Sequence, residues 1–241
     1  MDALIVGAGA VGRWFGSLWD GPVAFADVDR AVASQAAEAD QNATVAALDE
    51  TKTYDLVVVA VPMRVATDVI AEQADRATRA LADFTGSMGD PLDAMAEVGE
   101  DLERVSFHPL FAPEHAPGRV AKSVGKPGPA VDELTRALVG DGNTVVPVEA
   151  GVHDDAMRTV QGRTHAAILA FGLAADPVPE GLETPVYEEL AALRARVTDG
   201  SPGVYADIQD RFDGVEDLER ALSRLSGAER SEFESLYDDA G

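Results

Sequence analysis

Residues Ala3 to Leu18 constrain the fold more than any other stretch. Ala3-Leu4-Ile5-Val6 reads as a buried parallel strand, and the glycines at 7, 9 and 12 fit the spacing G-x-G-x-x-G. Beyond them Val11, Phe15 and Leu18 recur at i, i+4 and i+7, so the chain passes from a strand through a glycine turn into a helix. That order gives each glycine a task. Gly7 allows the tight turn, Gly9 lets a pyrophosphate approach the backbone, and Gly12 lets helix and strand pack closely. The pyrophosphate would rest on the unpaired N–H groups of Ala10, Val11 and Gly12, at the positive end of the helix dipole.

A second apolar run, Pro22 to Ala26, ends in Asp27, twenty residues after Gly7. A carboxylate at that place bonds the ribose hydroxyls of an adenosine. Asp29 follows closely and outweighs Arg30, so the loop is net acidic and the 2′-phosphate of NADP would be repelled. The expected cofactor is therefore NAD, with NADP the weaker candidate. Tyr54 to Pro62 reads as the clearest buried strand. Val61 and Pro62 close it, and they are expected to border the same cofactor cleft.

The strand and helix alternation continues. Ala31 to Ala39 reads as a helix, a further helix turns Val65, Val69 and Ile70 inward, and Leu81 to Thr85 forms a short strand. Arg104 to Phe107 leads into His108-Pro109, and Gly118–Val124 and Asn143–Val148 are strands around a helix near Val131–Leu138. This is the pattern of a doubly wound α/β sheet, with ligands beyond the carboxyl ends of its strands. After Val148 strand-like runs cease. Met157, Val160, Ile168 and Phe171 fall at helical spacing, and Asp217–Leu225 and Glu229–Tyr237 also read as helices. The expected organisation is a dinucleotide-binding domain over residues 1–150 and a small all-helical domain over 151–241. So thin a helical core favours pairing with a second copy of the chain, a homodimer.

Forty-three acids face 19 Lys and Arg, a formal net charge of −24, and lysine stands only at positions 52, 122 and 126. Such a surface repels nucleic acid and anionic membrane, so neither is an expected partner. It resembles the surfaces of cytoplasmic proteins from organisms living in molar salt, where the Debye length is only about 3 Å. In dilute salt the same charge should destabilise the fold. Met1 leads into the first strand without a leader or an apolar span, so the expected location is the cytoplasm. The chain has no cysteine and four histidines, which argues against a transition-metal site.

Few residues remain for chemistry. His108 ends an apolar strand, which aims it at the cofactor cleft, where it could take a proton from a substrate hydroxyl. Ser87, in Thr85-Gly86-Ser87, also lies past a strand and could bond that hydroxyl. His153-Asp154-Asp155 reads as a helix start with acids set against the dipole. His165 stands twelve residues along the same helix, either in a cleft or packed. Arg196 is either a solvated cation or the partner of a substrate carboxylate.

The fingerprint, Gly86-Ser87 and Ser106-Phe107-His108-Pro109-Leu110-Phe111 together resemble the prephenate dehydrogenase family of tyrosine biosynthesis. The likeness reaches into the second half through His153-Asp154 and Gln161-Gly162-Arg163-Thr164-His165, and thins after about residue 205. It implies a Rossmann-type domain followed by a helical dimerisation domain, acting on a small-molecule substrate. It implies that His108 bonds the substrate 4-hydroxyl and accepts its proton, with Ser87 holding that hydroxyl. By the same likeness His165 lies near the substrate and Arg196 binds a carboxylate. The chain departs from the family pattern at Gly89, where lysine is frequent, at Ala112, where glycine is usual, and at Tyr205, where a tryptophan often stands. Two other readings stay open: another two-domain dehydrogenase, acting on arogenate or a β-hydroxyacid or linked to deazaflavin, and a nucleotide-sensing module without catalysis.

Overall fold

A computed structural model describes residues 1–39 and 41–241, and the chain divides into two units, Met1–Asp154 and Asp155–Gly241. The first unit is built on one eight-stranded sheet in the order β3-β2-β1-β4-β5-β6-β7-β8. Its strands are β1 (Ala3–Val6), β2 (Val23–Ala26), β3 (Ala43–Val45), β4 (Tyr54–Val59), β5 (Ala77–Asp83), β6 (Glu103–Pro109), β7 (Arg119–Lys126) and β8 (Thr144–Pro147). All neighbours run parallel except β6 and β7, which are antiparallel. The strand order reverses between β1 and β4, so a crevice opens there past Val6 and Val59.

Alternation along the strands sends side chains to two cores. Ile5, Leu56, Val58, Ala82, Val105 and Phe107 point to one face, and Leu4, Val6, Val57, Val59 and Leu81 to the other. The first face receives α1 (Ala10–Leu18) through Trp14 and Phe15. Phe15, Phe84 and Phe107 stack there, with centroids 4.7 and 5.1 Å apart. Phe84 and Phe107 thus anchor the strand ends that carry Asp83 and His108, which lie next to them in sequence. The second face receives Ile70 of α3 (Met63–Gln73) and Met95 of α4 (Gly89–Val98). The buried ridge of α3 is Ala66, Ile70 and Gln73, while the expected Val65 and Val69 are only half-buried. The remaining helices of this unit are α2 (Arg30–Glu38), α5 (Pro129–Gly140) and α6 (Ala150–Met157), inside which the division between the units falls.

The second unit is helical. A π-helical segment (Arg158–Arg163) leads into α7 (Thr164–Ala174), followed by α8 (Pro185–Thr198), α9 (Pro202–Phe212), α10 (Val215–Gly227) and α11 (Arg230–Ala240). Pro185 and Pro202 occupy the first helical positions of α8 and α9, where a missing N–H costs nothing. The π-helical segment is held by Gln209, whose Nε2 donates to the Gly162 carbonyl at 3.0 Å. Arg163 also pins it, donating from Nε and Nη2 to Asp217 on α10. Among the described residues no helix is long and apolar enough to cross a membrane.

Candidate active site

The turn from β1 into α1 has the shape that its glycines require. Gly7 has φ +98°, and a Cβ there would stand 2.3 Å from the Ala60 carbonyl oxygen. A Cβ on Gly12 would stand 1.9 Å from the Gly7 oxygen, so helix and turn are in direct backbone contact. A Cβ on Gly9 would meet nothing within 4 Å, which leaves open space over the loop. The first turn of α1 has no acidic residue and no side-chain cap, so the N–H groups of Ala10, Val11 and Gly12 lack an intrahelical acceptor. Asp27 is pinned across the loop. Its Oδ2 accepts from the Ala8 N–H and its Oδ1 from the Asp29 N–H, both at 2.9 Å, and each oxygen keeps a lone pair for a further donor. Val61 borders the loop, its Cγ1 being 3.0 Å from a Cβ built on Gly7, and Pro62 caps α3 beside it. Open loop, bare helix start and fixed carboxylate together fit a dinucleotide.

A chain of hydrogen bonds converges past the ends of β5 and β6. His108 is 6% exposed, and its Nδ1 lies 2.9 Å from Nε2 of His153, which is 3% exposed. His153 Nδ1 lies 2.8 Å from Asp154 Oδ1. Asp154 in turn accepts the Met88 N–H at 3.0 Å and the Gly89 N–H at 3.1 Å, at the start of α4. Burial alone would raise the Asp154 carboxyl, but the bonds from His153, Met88 and Gly89 outweigh it and hold it below the usual carboxylate range.

The ionised Asp154 can only accept, so His153 donates from Nδ1, and in a neutral His153 the Nε2 is the acceptor. His108 must therefore donate from Nδ1, which makes Nε2 its unprotonated nitrogen. The network thus assigns the tautomer. Burial pushes the His108 imidazole down to about 3, a charge on His153 would add to this, and Asp154 opposes it. Burial thus holds His108 neutral across the physiological pH range.

The reading of His153-Asp154-Asp155 as a helix start needs correction. The cap of α6 is Glu149, whose carboxylate accepts from Gly151 and Val152 at 3.2 and 3.1 Å. Asp154 lies a turn further on and caps a different helix, α4. Ser87 stands in the same loop, 4% exposed, and its carbonyl accepts from Thr85 Oγ1 at 2.9 Å. Gly89, where the family pattern favours lysine, supplies one of the two N–H groups bound to Asp154.

In the second unit, His165 is half-buried with its ring edge-on to Tyr205 at 5.0 Å, and burial lowers its imidazole. Arg196 is exposed in the last turn of α8.

Residues 19–123 match the family model described as prephenate dehydrogenase, nucleotide-binding domain, a stretch that begins after the glycine fingerprint. The 4-amino-4-deoxyprephenate dehydrogenase of Streptomyces pristinaespiralis is 34% identical over 180 residues, 70% of this chain and 61% of that one. A probable arogenate/prephenate dehydrogenase of Methanocaldococcus jannaschii is 29% identical over 178 residues, 67% of this chain and 40% of that one. The chain thus covers less than two thirds of the length of either relative. Among solved structures, Aquifex aeolicus prephenate dehydrogenase, crystallised with hydroxyphenyl propionate and NAD+, shares the fold with a TM-score of 0.74. That likeness covers 100% of this chain and 96% of the other at 17% identity. The family model and both relatives carry names from one group, the dehydrogenases of prephenate and its amino relatives.

Proposed function

We propose that this chain is an NAD-dependent dehydrogenase that oxidatively decarboxylates prephenate to 4-hydroxyphenylpyruvate. The observation that carries the reading is the chain His108–His153–Asp154, which leaves an unprotonated imidazole nitrogen at the carboxyl end of β6. A nicotinamide bound along the Gly7–Gly12 loop and Asp27 supplies the two-electron acceptor. His108 Nε2 takes the 4-hydroxyl proton as C4 gives up its hydrogen with two electrons. The bond from the ring to its carboxylate then breaks, its electron pair moves through the ring onto the 4-oxygen, which takes the proton back from His108, and carbon dioxide leaves an aromatic product. The imidazolium formed on His108 keeps its bond to His153, and the Asp154 carboxylate balances the charge through that ring. Ser87 orients the hydroxyl, Arg196 binds a substrate carboxylate, and His165 contributes to substrate binding.

A second substrate has support of its own, because the Streptomyces relative named for 4-amino-4-deoxyprephenate is the more identical of the two. The unprotonated Nε2 accepts a hydrogen bond from an amine as readily as from a hydroxyl.

The chain pairs with a second copy through its helical unit. Neither α10 nor α11 has a buried residue, while Leu169 and Leu173 of α7 and Leu218 and Leu222 of α10 line one open apolar groove. The net charge of −24 supports work in the cytoplasm at high salt.

The test is cofactor reduction by the purified protein with prephenate, arogenate and 4-amino-4-deoxyprephenate in turn, with NAD and with NADP, in molar and in dilute KCl. Highest kcat/KM is expected for prephenate with NAD in molar salt. Preference for either amino compound reassigns the substrate, equal rates in both salts remove the salt adaptation, and no reduction with any of the three refutes the reading.

A further inference from the structure

Asp83 ends β5 with no exposed surface, one strand away from His108, and the mechanism above makes no use of it. Its surroundings pose a problem of proton counting. Asp83 Oδ2 is 2.6 Å from Thr85 Oγ1 and 3.0 Å from the Thr85 N–H. The same Thr85 hydroxyl is 2.9 Å from the Ser87 carbonyl oxygen. A hydroxyl has one hydrogen, yet Thr85 Oγ1 stands against two oxygens that, with Asp83 ionised, could only accept. One contact would then set two lone-pair oxygens against each other in a buried loop. A proton on Asp83 Oδ2 removes the conflict. The acid donates to Thr85 Oγ1, Thr85 donates to the Ser87 carbonyl, and the Thr85 N–H still donates to Oδ2.

We propose that Asp83 is a positioning residue whose carboxyl carries a proton in the working protein, passing a hydrogen bond through Thr85 to fix the loop that holds Ser87. This rests on the role given to Ser87 above. Together the neighbours of Asp83 favour the neutral acid. Its register partner on β4 is Val59, which is apolar and favours the neutral form, while its partner on β6, Ser106, acts the other way. Ser106 Oγ and Asp83 Oδ1 make no hydrogen bond of normal geometry, so the Thr85 contacts decide the arrangement. The charge acting on Asp83 comes from Asp154 on α6 and repels a carboxylate. Burial pushes the Asp83 carboxyl up to about 7, against the smaller opposing effects of Thr85 and Ser106. Two acids of one network are thereby driven apart: Asp154 is the ionised one, held by three donors, and Asp83 the neutral one. Once Asp83 ionises, Thr85 must turn its hydrogen to the carboxylate and release the Ser87 carbonyl. The loop should then loosen as pH rises through about 7.

The test begins with the unmodified full-length protein, isotopically labelled, in which NMR follows the Asp83 carboxyl carbon, assigned through its own backbone, from pH about 5 to about 9. The expected result is a neutral acid that ionises with a midpoint of about 7. A carboxyl already ionised at pH about 5, as an ordinary aspartate is, overturns the proposal. The second arm measures turnover. In the wild type kcat should fall as pH rises through the same midpoint. Thr85→Val should lower kcat about tenfold with NAD affinity unchanged, and Thr85→Ser should restore it. Wild-type kcat and pH profile in Thr85→Val would overturn the positioning role. Ser87→Ala separates this proposal from the reading beneath it: full turnover there removes the role of Ser87, and the positioning role with it, while the carboxyl titration reports the Asp83 proton independently.

Discussion

The two units of this chain bury their apolar residues to very different depths. In the first, the sheet is covered on both faces, and Asp83 and His108 sit at strand ends whose neighbours are packed aromatic rings. In the second, the buried apolar residues are Met157, Ala166, Ile168, Val197, Ile208 and Phe212, and none comes from α10 or α11. Leu173 is 90% exposed and Leu222 58% exposed, both on one groove. A parallel sheet with helices on both sides completes its own core, whereas a few short helices without a sheet leave a face unfinished. Proton chemistry needs distances fixed to a few tenths of an ångström, and the first unit provides that rigidity. The second leaves an apolar groove open.

That contrast is sharpened most by His108→Asn. The substitution removes the proposed base but keeps a buried polar side chain, so kcat should fall about 10²–10⁴-fold while NAD binding is retained. Full turnover would mean that the chemistry lies outside the first unit. The matching change in the second unit is Leu222→Glu, which places a charge on the open groove. Light scattering in molar salt should show the proposed dimer dissociating about 10- to 100-fold more readily, the worth of one apolar side chain of about 1.5–3 kcal/mol. An unchanged dimer would show that the groove serves another purpose.

Acid should destabilise the first unit. His108 binds its proton less readily in the folded chain, at about 3 against 6.5 when unfolded, so the unfolded state gains the proton first. Stability is therefore lost as pH falls through that window, and Asp154, also held low, adds to the loss. Thermal unfolding followed by near-UV circular dichroism should show Tm falling with acid, and less steeply in His108→Asn. Equal slopes would mean that His108 titrates normally. The smallest effect is expected at Asp27→Ala, which should narrow the preference for NAD over NADP about tenfold, the worth of one charge-assisted hydrogen bond. No change would remove Asp27 from the ribose site.

The parts of this design that sequence reveals are those with a local period. The Gly7 turn, the buried strands and Asp27 all declare themselves within about one βαβ unit. Three features do not. The His108–His153 bond joins residues 45 apart, across β7, α5 and β8, and leaves no pattern in either neighbourhood. Read locally, Asp154 belongs to its own helix dipole, and only the folded chain shows it capping α4. The proton proposed for Asp83 depends on counting donors around Thr85, which only the folded chain brings together. In the second unit the π-helical segment misleads a helical reading. Its wider turn rotates the faces, so Val160, spaced to join Met157 in the core, is 54% exposed. The strand Ala43–Val45 went unread because three residues are too few for a period to show.

The relay is tested most directly by the ring nitrogens of His108 themselves. Nitrogen NMR of the selectively labelled protein reports which of them carries the hydrogen, without substrate, cofactor or mutation. The expected spectrum has Nδ1 protonated and Nε2 unprotonated, with no change as pH falls through 6.5, because His108 is held down to about 3. A hydrogen on Nε2, or an imidazolium forming near the ordinary histidine value, would contradict the account: the donors would then run the other way, and His108 could not be the base.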